Sequence, residues 1–325
     1  MSDETVAKAK LISDEQIRAI LGSTFGVQVD IAECKPILSG YNNTLFEIKT
    51  LNPDRHVVLR AAPNSDVPAH QRERKVILAE PVKYDLLSKA GVPTARVLAI
   101  DGSRSIIDRD YLIIDYIDAV PMNHPSVPAD VRPGIMQQVG RYTAMMHGIS
   151  SDKFGWIMQD GSIRGSENWS EVFGEIFTEA CNNCSEEGII SAPDIAAVID
   201  CYWSCRAVFD ECRTPAFTHN DIWDPNILVR EKDGEWIVEG IIDVDEALFA
   251  DREFEFVIWE GADPDLLLGY DIPPDKSPNA LLRKKFYRMQ LYMHYAWFYQ
   301  IMSMSPEFQK TSTRIAVDIL QELLS

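Results

Sequence analysis

The sequence predicts an α+β fold in two lobes, an antiparallel sheet with one internal helix over residues 1–117 and a mainly helical region over 118–325. Three observations predict it. Strand-length runs punctuated by Gly, Asn and Pro clusters fill the first third of the chain; helical periodicity takes over after Ala119-Val120-Pro121; and one short hairpin signal interrupts the helices that follow. At 325 residues, 46% hydrophobic and 25% charged, the chain can bury a sizeable core and has the length of two domains or one bilobal unit. No internal repeat, low-complexity tract or long linker separates the halves, so they are expected to pack as lobes of one unit.

A first helix is expected over 12–21, because Ser13 and Gln16 form a capping box ahead of the periodic apolar residues Ile17, Ile20 and Leu21. Strands follow over 33–38, 44–50 and 56–61. The turn clusters Ser39-Gly40-Tyr41-Asn42-Asn43 and Asn52-Pro53-Asp54 separate them and make an antiparallel meander. Residues 80–90 read as a helix stopped by Gly91, with two more strands at 97–100 and 111–116 around a turn at Asp101-Gly102. Next, Ile135, Val139, Tyr142 and Met146 recur on one helical face, and 168–187, 193–212, 278–302 and 307–324 read as further helices. Among them, strands at 227–229 and 236–242 flank Lys232-Asp233-Gly234-Glu235, where Asp-Gly is a strong two-residue turn signal.

Charge narrows the partners. With 31 Lys and Arg against 50 Asp and Glu, the net charge is −19, which repels nucleic-acid phosphates and anionic membrane surfaces. No run approaches the roughly 20 apolar residues of a membrane span, and the start, Met1-Ser2-Asp3-Glu4-Thr5, lacks the regions of a secretory signal, so a cytoplasmic location is expected. The six cysteines would then meet a reducing compartment. Cys181 with Cys184, and Cys201 with Cys205, have spacings that could bind zinc, but both pairs fall in helical segments and read instead as small buried side chains.

The chemistry concentrates in Thr218-His219-Asn220-Asp221-Ile222-Trp223-Asp224-Pro225-Asn226. His-x-Asp-x-x-x-x-Asn is the spacing of a kinase catalytic loop, in which Asp accepts the substrate hydroxyl's proton and Asn holds magnesium. The hairpin supports it: Asn226 opens the first strand and Asp243 closes the second, so folding about Asp233-Gly234 returns both side chains to one end of the ribbon. An amide and a carboxylate there suit Mg²⁺, a hard cation that takes oxygen ligands. His219 reads as an orienting residue rather than a proton carrier, and His147, at the end of an amphipathic helix, as structural. The aromatic residues Tyr287, Tyr292, Tyr295, Trp297, Phe298 and Tyr299 read as helix core rather than a ligand cage.

From about Leu38 to Tyr270 the chain resembles the aminoglycoside phosphotransferase and choline kinase-like family, small-molecule kinases with a protein-kinase-like fold. Leu38-Ser39-Gly40-Tyr41-Asn42-Asn43 resembles the phosphate-covering loop, and Val57-Val58-Leu59-Arg60 the third strand, with Arg60 where kinases commonly carry Lys. Glu80, Tyr84, Leu87 and Gly91-Val92-Pro93-Thr94-Ala95-Arg96-Val97 reproduce the spacing of the family's helix and next strand; Tyr111-Leu112-Ile113-Ile114-Asp115-Tyr116-Ile117 looks like the hinge strand. Gly240-Ile241-Ile242-Asp243, with Ala247, Asp251 and Glu255, resembles the second metal motif and the helix after it.

The resemblance implies ATP in the cleft between the lobes. The Asp115 carbonyl and Ile117 amide would read adenine, while Ser39, Gly40, Asn43 and Arg60 would hold phosphates with Glu80 as the partner of Arg60. Asn226 and Asp243 would bind Mg²⁺, and Asp221 would deprotonate the acceptor's hydroxyl for in-line attack on the γ-phosphate. The acceptor is expected to be a small-molecule alcohol carrying positive charge. Asp224, Asp245, Glu246, Glu260, Asp263 and Asp265 crowd segments expected to border the cleft, with Asp224, Glu246 and Glu260 as candidate substrate residues. The competing class is a pseudokinase that holds nucleotide or ligand without turnover; the presence of all three core polar residues argues against it. No Ala-Pro-Glu segment marks a protein kinase.

Overall fold

The computed structural model describes residues 12–37, 43–63, 77–259 and 263–325. The first helix, α1 (Asp14–Phe25), opens on the expected capping box: Ser13 Oγ accepts from the Gln16 N–H at 3.2 Å and Gln16 Oε1 from the Ser13 N–H at 2.9 Å. It runs four residues past the expected end because its terminator is Gly26, whose φ of 69° closes the last turn. Strands β1 (Asp30–Ile37), β2 (Thr44–Asn52) and β3 (Asp54–Ala61) form the meander. After α2 (Glu80–Lys89) come β4 (Val97–Asp101) and β5 (Tyr111–Asp115), which complete an antiparallel sheet of order β1-β2-β3-β5-β4. Alternation along β3 buries Val57, Leu59 and Ala61 with Ile17, Ile20 and Leu21 of α1, which leaves Arg60 on the opposite face, toward the cleft. The expected turn at Asp101-Gly102 is instead a longer connection over 102–110.

The second half follows as β6 (Val120–Pro121), α3 (Arg132–His147), β7 (Phe154–Ile157), β8 (Ile163–Ser166), α4 (Trp169–Glu186), α5 (Ala192–Ser204), α6 (Arg206–Phe209), β9 (Ala216–Thr218), β10 (Ile227–Lys232), β11 (Glu235–Ile241), β12 (Leu248–Ala250), a 3₁₀ segment Arg252–Trp259, α7 (Pro264–Tyr270), α8 (Pro278–Ile301) and α9 (Pro306–Leu324). The helix expected over 193–212 breaks in two at Cys205. The hairpin β10–β11 turns on Asp233 and Gly234, both with positive φ (53° and 84°), the geometry that Asp-Gly favours. Two pairings escape sequence patterning. β6 adds to β10, giving the order β11-β10-β6, and the three- and four-residue strands β8-β7-β12-β9 make a second small sheet. They are too short to show a period of two, yet β9 feeds directly into His219 and the segment after Asp243 runs into β12.

One aromatic core joins α4, α5 and α8 through Trp169, Phe173, Phe177, Tyr202, Phe286 and Tyr287, and α9 adds Ala316, Ile319 and Leu320 to it. Tyr287 and Tyr292 are buried in it as expected, and Tyr295 and Trp297 pack against it. Cys181 and Cys184 are buried in the same core, with Cys184 Sγ 3.3 Å from the Met293 carbonyl. A second core lies under the hairpin. It gathers Ile135, Val139, Ile227, Ile241 and Val244 together with Tyr84, Leu87, Val92 and Ala95, with Val97 and Ile114 of the five-stranded sheet packed against it, so α2 lies between the sheet and residues beyond 118.

Candidate active site

The segment 219–226 is held from behind by Glu255. Its carboxylate accepts the backbone N–H of His219 at 2.6 Å and that of Asn220 at 3.0 Å. His147 Nε2 lies 3.6 Å from the same carboxylate, and His147 Nδ1 is 2.6 Å from the Tyr270 hydroxyl, which makes His147 structural as its position predicted. Thus anchored, Asn220 adopts φ 60°, a left-handed conformation uncommon for a residue with a side chain, and its amide bonds Thr218 Oγ1 at 3.0 Å.

His219 is fully buried. Its Nδ1 accepts from the Asp221 N–H at 3.3 Å, so its Nε2 carries the proton and donates to the Ile242 carbonyl at 3.1 Å. Burial holds its pKa below the ordinary imidazole value, against the pull of Glu255 and Asp245. A neutral imidazole locked between two backbone groups orients the loop; it is not placed to shuttle a proton.

Asp221 and Asn226 are joined directly. Asn226 Nδ2 donates to Asp221 Oδ2 at 2.7 Å and to the Asp221 carbonyl at 2.9 Å, which leaves Asp221 Oδ1 and Asn226 Oδ1 without protein donors among the described residues. Burial, then the charges of Asp243, Asp245 and Glu246, push the Asp221 pKa well above the ordinary carboxyl range. The hairpin does what its turn predicted: Ile227 pairs with Ile241, the Asn226 carbonyl accepts from the Ile242 N–H at 3.0 Å, and Asn226 and Asp243 end at one edge of the ribbon. Gly240 faces Ile117 there: a Cβ on it would sit 2.6 Å from Ile117 Cδ1, so the end of that side chain would have to turn aside.

Across the cleft Arg60 gathers the carboxylates. Its Nη2 lies 2.7 Å from both Asp243 Oδ1 and Asp245 Oδ2, and its Nη1 3.3 Å from Glu80 Oε2. With its amide turned so that the oxygen faces the guanidinium, Asn43 accepts from Arg60 Nη2 and Nε at 2.6 and 2.9 Å. Burial raises Asp243 to about 7 despite Arg60, whereas at Asp245 Arg60, Asp243 and Lys83 overcome burial and hold the pKa down. Glu80, buried beside Arg60, is pushed up to about 8. The contact between Arg60 and Asp243 lacks hydrogen-bond geometry, so Asp243 Oδ1 is a buried carboxylate oxygen with no donor. Such an oxygen, with Asp245 and Asn226 Oδ1, is a donor set suited to a hard divalent cation. The cleft thus holds two buried basic side chains, Arg60 and Lys83, against the five carboxyl groups of Glu80, Asp221, Asp243, Asp245 and Glu246.

Other expected residues fall as follows. Asp115 and Ile117 lie at the end of β5 and just beyond it; the Ile117 N–H has no backbone acceptor among the described residues, and the ring of Tyr116 between them stacks on His56 at 3.7 Å. Asp224 is bound by Arg132 of α3 at 3.2 Å, and the same guanidinium is 3.7 Å from Asp263. Its charge is therefore met by the protein, which weighs against Asp224 as the partner of a substrate amine. Glu246 is exposed beside Asn220, whose amide bonds its carbonyl at 3.3 Å. Ser39, Gly40 and Glu260 lie outside the described residues. Sequence reading missed Lys83, whose signal was its place one helical turn after Glu80, and gave Asp245 only to the cleft rim.

A sheet-capped cleft, a His-x-Asp-x-x-x-x-Asn loop and a second acidic motif brought to it by a hairpin are the architecture of a kinase-like phosphotransferase. Residues 33–259 match the family described as "Phosphotransferase enzyme family", APH, and the chain belongs to that family as a small-molecule phosphotransferase. Among solved structures it is similar to a candidate fructosamine-3-kinase from Haemophilus somnus 129PT, with TM-score 0.69, 18% identity, and 94% of this chain and 97% of that one covered. It also resembles an aminoglycoside 2′-phosphotransferase-IIIa in complex with GDP, with TM-score 0.62, 13% identity, and 95% and 99% covered. A Plasmodium vivax ethanolamine kinase is similar with TM-score 0.61, 11% identity, and 88% and 81% covered. At these identities the likeness shows the fold. No curated protein matches the chain. Among the described residues no helix is long and apolar enough to cross a membrane.

Proposed function

We propose that the protein transfers the γ-phosphoryl group of Mg²⁺-bound ATP to a hydroxyl of a small, positively charged molecule. The observation that carries the reading is the convergence of Asp221, Asn226, Asp243 and Asp245 at one end of the hairpin, opposite Arg60. Asp221 Oδ1 takes the acceptor's proton while Asn226 fixes Oδ2, and the elevated pKa makes this carboxylate a stronger base than an ordinary one. Asn226, Asp243 and Asp245 would hold Mg²⁺, which when bound neutralises phosphate charge. Arg60, fixed by Asn43 and Glu80, would hold the phosphates with its planar fork, and the Ile117 N–H would read adenine. The acidic surplus around Asp221 favours a cationic acceptor; the named substrates of the neighbours, fructosamine, aminoglycosides and ethanolamine, all carry an amine.

The test is a thermal-stabilisation screen of amino alcohols, aminoglycosides, glycated amines and neutral sugars, run with Mg²⁺ and a non-hydrolysable ATP analogue and followed by ADP release for each hit. A cationic alcohol that stabilises the protein and is phosphorylated is the expected result. Neutral sugars turned over better than every cationic alcohol would refute the acceptor class. Nucleotide binding with no turnover of any binder would favour the pseudokinase.

A further inference from the structure

Glu80, Lys83 and Tyr84 are spaced i, i+3, i+4 on α2 and so leave one face of the helix together. All three reach the segment 243–245. Glu80 does so through Arg60, which touches Glu80, Asp243 and Asp245. The Tyr84 hydroxyl accepts from the Asp243 N–H at 3.2 Å. Lys83 Nζ donates to the carbonyls of Val244 at 3.0 Å and Asp245 at 2.7 Å.

Lys83 is 3% exposed, unusual for a lysine, and a buried ammonium is tolerated only where bonds and opposite charge replace its water. Burial pulls its pKa below the ordinary lysine value; against that pull the two carbonyls supply hydrogen bonds, and Asp245 first, then Glu80 and Glu246, favour the charged form. The segment it grips needs holding. Asp243 has φ 68°, a left-handed conformation at a residue with a side chain, and three carboxylates, those of Asp221, Asp243 and Asp245, repel one another across it.

We propose that Lys83 is a positioning residue of the phosphoryl-transfer site: by fixing two successive carbonyls, it keeps the Asp243 and Asp245 carboxylates converged, with Tyr84 holding the Asp243 amide. The inference rests on the phosphotransfer reading for what the converged carboxylates bind. It differs from a packing role, because the tether acts on the very loop whose carboxylates meet at Arg60, and its loss acts on metal affinity before global stability.

The experiment uses the full chain with Lys83→Met, which keeps the length of the side chain, and Tyr84→Phe, which removes one oxygen. Three quantities are read: the melting temperature, amide hydrogen exchange over 243–247 in metal-free protein, and Mn²⁺ affinity in the presence of a non-hydrolysable ATP analogue, followed by electron paramagnetic resonance. In Lys83→Met, exchange over 243–247 is expected to quicken while that of β10 and β11 holds, and Mn²⁺ affinity to fall roughly tenfold, the loss of a charge-assisted hydrogen bond or two. Tyr84→Phe should shift both in the same direction by less, with the exchange effect centred on the Asp243 amide. A folded Lys83→Met protein with wild-type exchange at 243–247 and wild-type Mn²⁺ affinity overturns the proposal, as does a lowered melting temperature with neither quantity moved. Should Lys83→Met fail to fold, Tyr84→Phe decides by the same two readouts. A wild-type protein that binds no metal–nucleotide complex refutes the phosphotransfer reading, whereas the exchange data still judge the tether.

Discussion

Replacing Asp221 by Asn separates the two things its carboxylate does. Asp221 Oδ2 receives the 2.7 Å bond from Asn226, and an asparagine oxygen turned the same way keeps that bond, so the loop and its grip on Asn226 survive. The other oxygen becomes an NH₂ group that cannot take a proton. Turnover should therefore fall by roughly 10²- to 10⁴-fold, the usual contribution of general-base help, with Mg-ATP affinity nearly unchanged. Stability should move the opposite way. When ionised, the wild-type carboxylate is buried facing Asp243, Asp245 and Glu246, and this burial and repulsion are what raise its pKa. Deleting the charge removes both costs, so the variant should melt a few degrees higher, a gain of about 1 to 2 kcal/mol, as is common where an active-site strain is relieved. The assay pairs ADP release under saturating nucleotide with a melting curve at pH 8. Near-normal turnover would refute the base assignment. A lower melting temperature would show that the carboxylate is a structural bond acceptor and that the repulsion argument is wrong.

Other expectations follow from the same geometry. Asp243→Asn should raise the Mg²⁺ concentration needed for turnover and be partly rescued by excess Mg²⁺ or Mn²⁺, a rescue that Asp221→Asn should not show; identical metal titrations for the two would contradict their separate roles. Arg60→Ala should weaken Mg-ATP binding more than acceptor binding and Arg60→Lys should keep partial activity, measured by separate titrations; unchanged ATP affinity in the alanine variant would make Arg60 a tether alone. Glu255→Gln offers one oxygen where two backbone N–H groups converge, so turnover should fall about tenfold or more without a matching loss of nucleotide affinity, and a variant with wild-type turnover would show that the loop holds itself. Glu80 is protonated more readily in the folded chain, up to about 8, than when unfolded, so its contribution to stability is full below about pH 4.5 and is lost as pH rises through about 8. Melting of the metal-free protein should thus fall between pH 5.5 and 8.5 more steeply than that of Glu80→Gln; parallel curves would refute it.

Much of this site was legible because its spacing is local. The Asp221 to Asn226 interval fixes a loop, and the Asp-Gly turn fixes which strand ends meet, so the partnership of Asn226 and Asp243 could be argued before any fold was seen. Arg60 and Glu80 needed the resemblance, since twenty positions of chain separate residues that end 3.3 Å apart. The roles of Lys83 and of Glu255, the latter picked out only as part of the second metal motif, stayed hidden for a different reason. Each acts on backbone atoms of a remote segment, and a carbonyl or an amide looks alike at every residue, so nothing in the sequence of 243–245 or 219–220 advertises its partner. The short strands β7, β8, β9 and β12 were missed because three or four residues are stabilised by the ladder they join, not by their own pattern.

The placement of α2 bears on how such a cleft can open. Tyr84, Leu87, Val92 and Ala95 are packed into the core under the hairpin, Pro93 and Thr94 hydrogen-bond to Ile241, and β6 ties the chain just beyond the hinge to β10. A rigid-body swing that kept α2 with the hairpin as stator and moved the five-stranded sheet with α1 as rotor would have to slide Val97 and Ile114 over that core. Arg60 rides on the rotor while Glu80, Asp243 and Asp245 stay on the stator, so its guanidinium is the catch between the two bodies. Every degree of opening stretches those contacts, and a distance probe spanning β3 and α2 would read the swing directly.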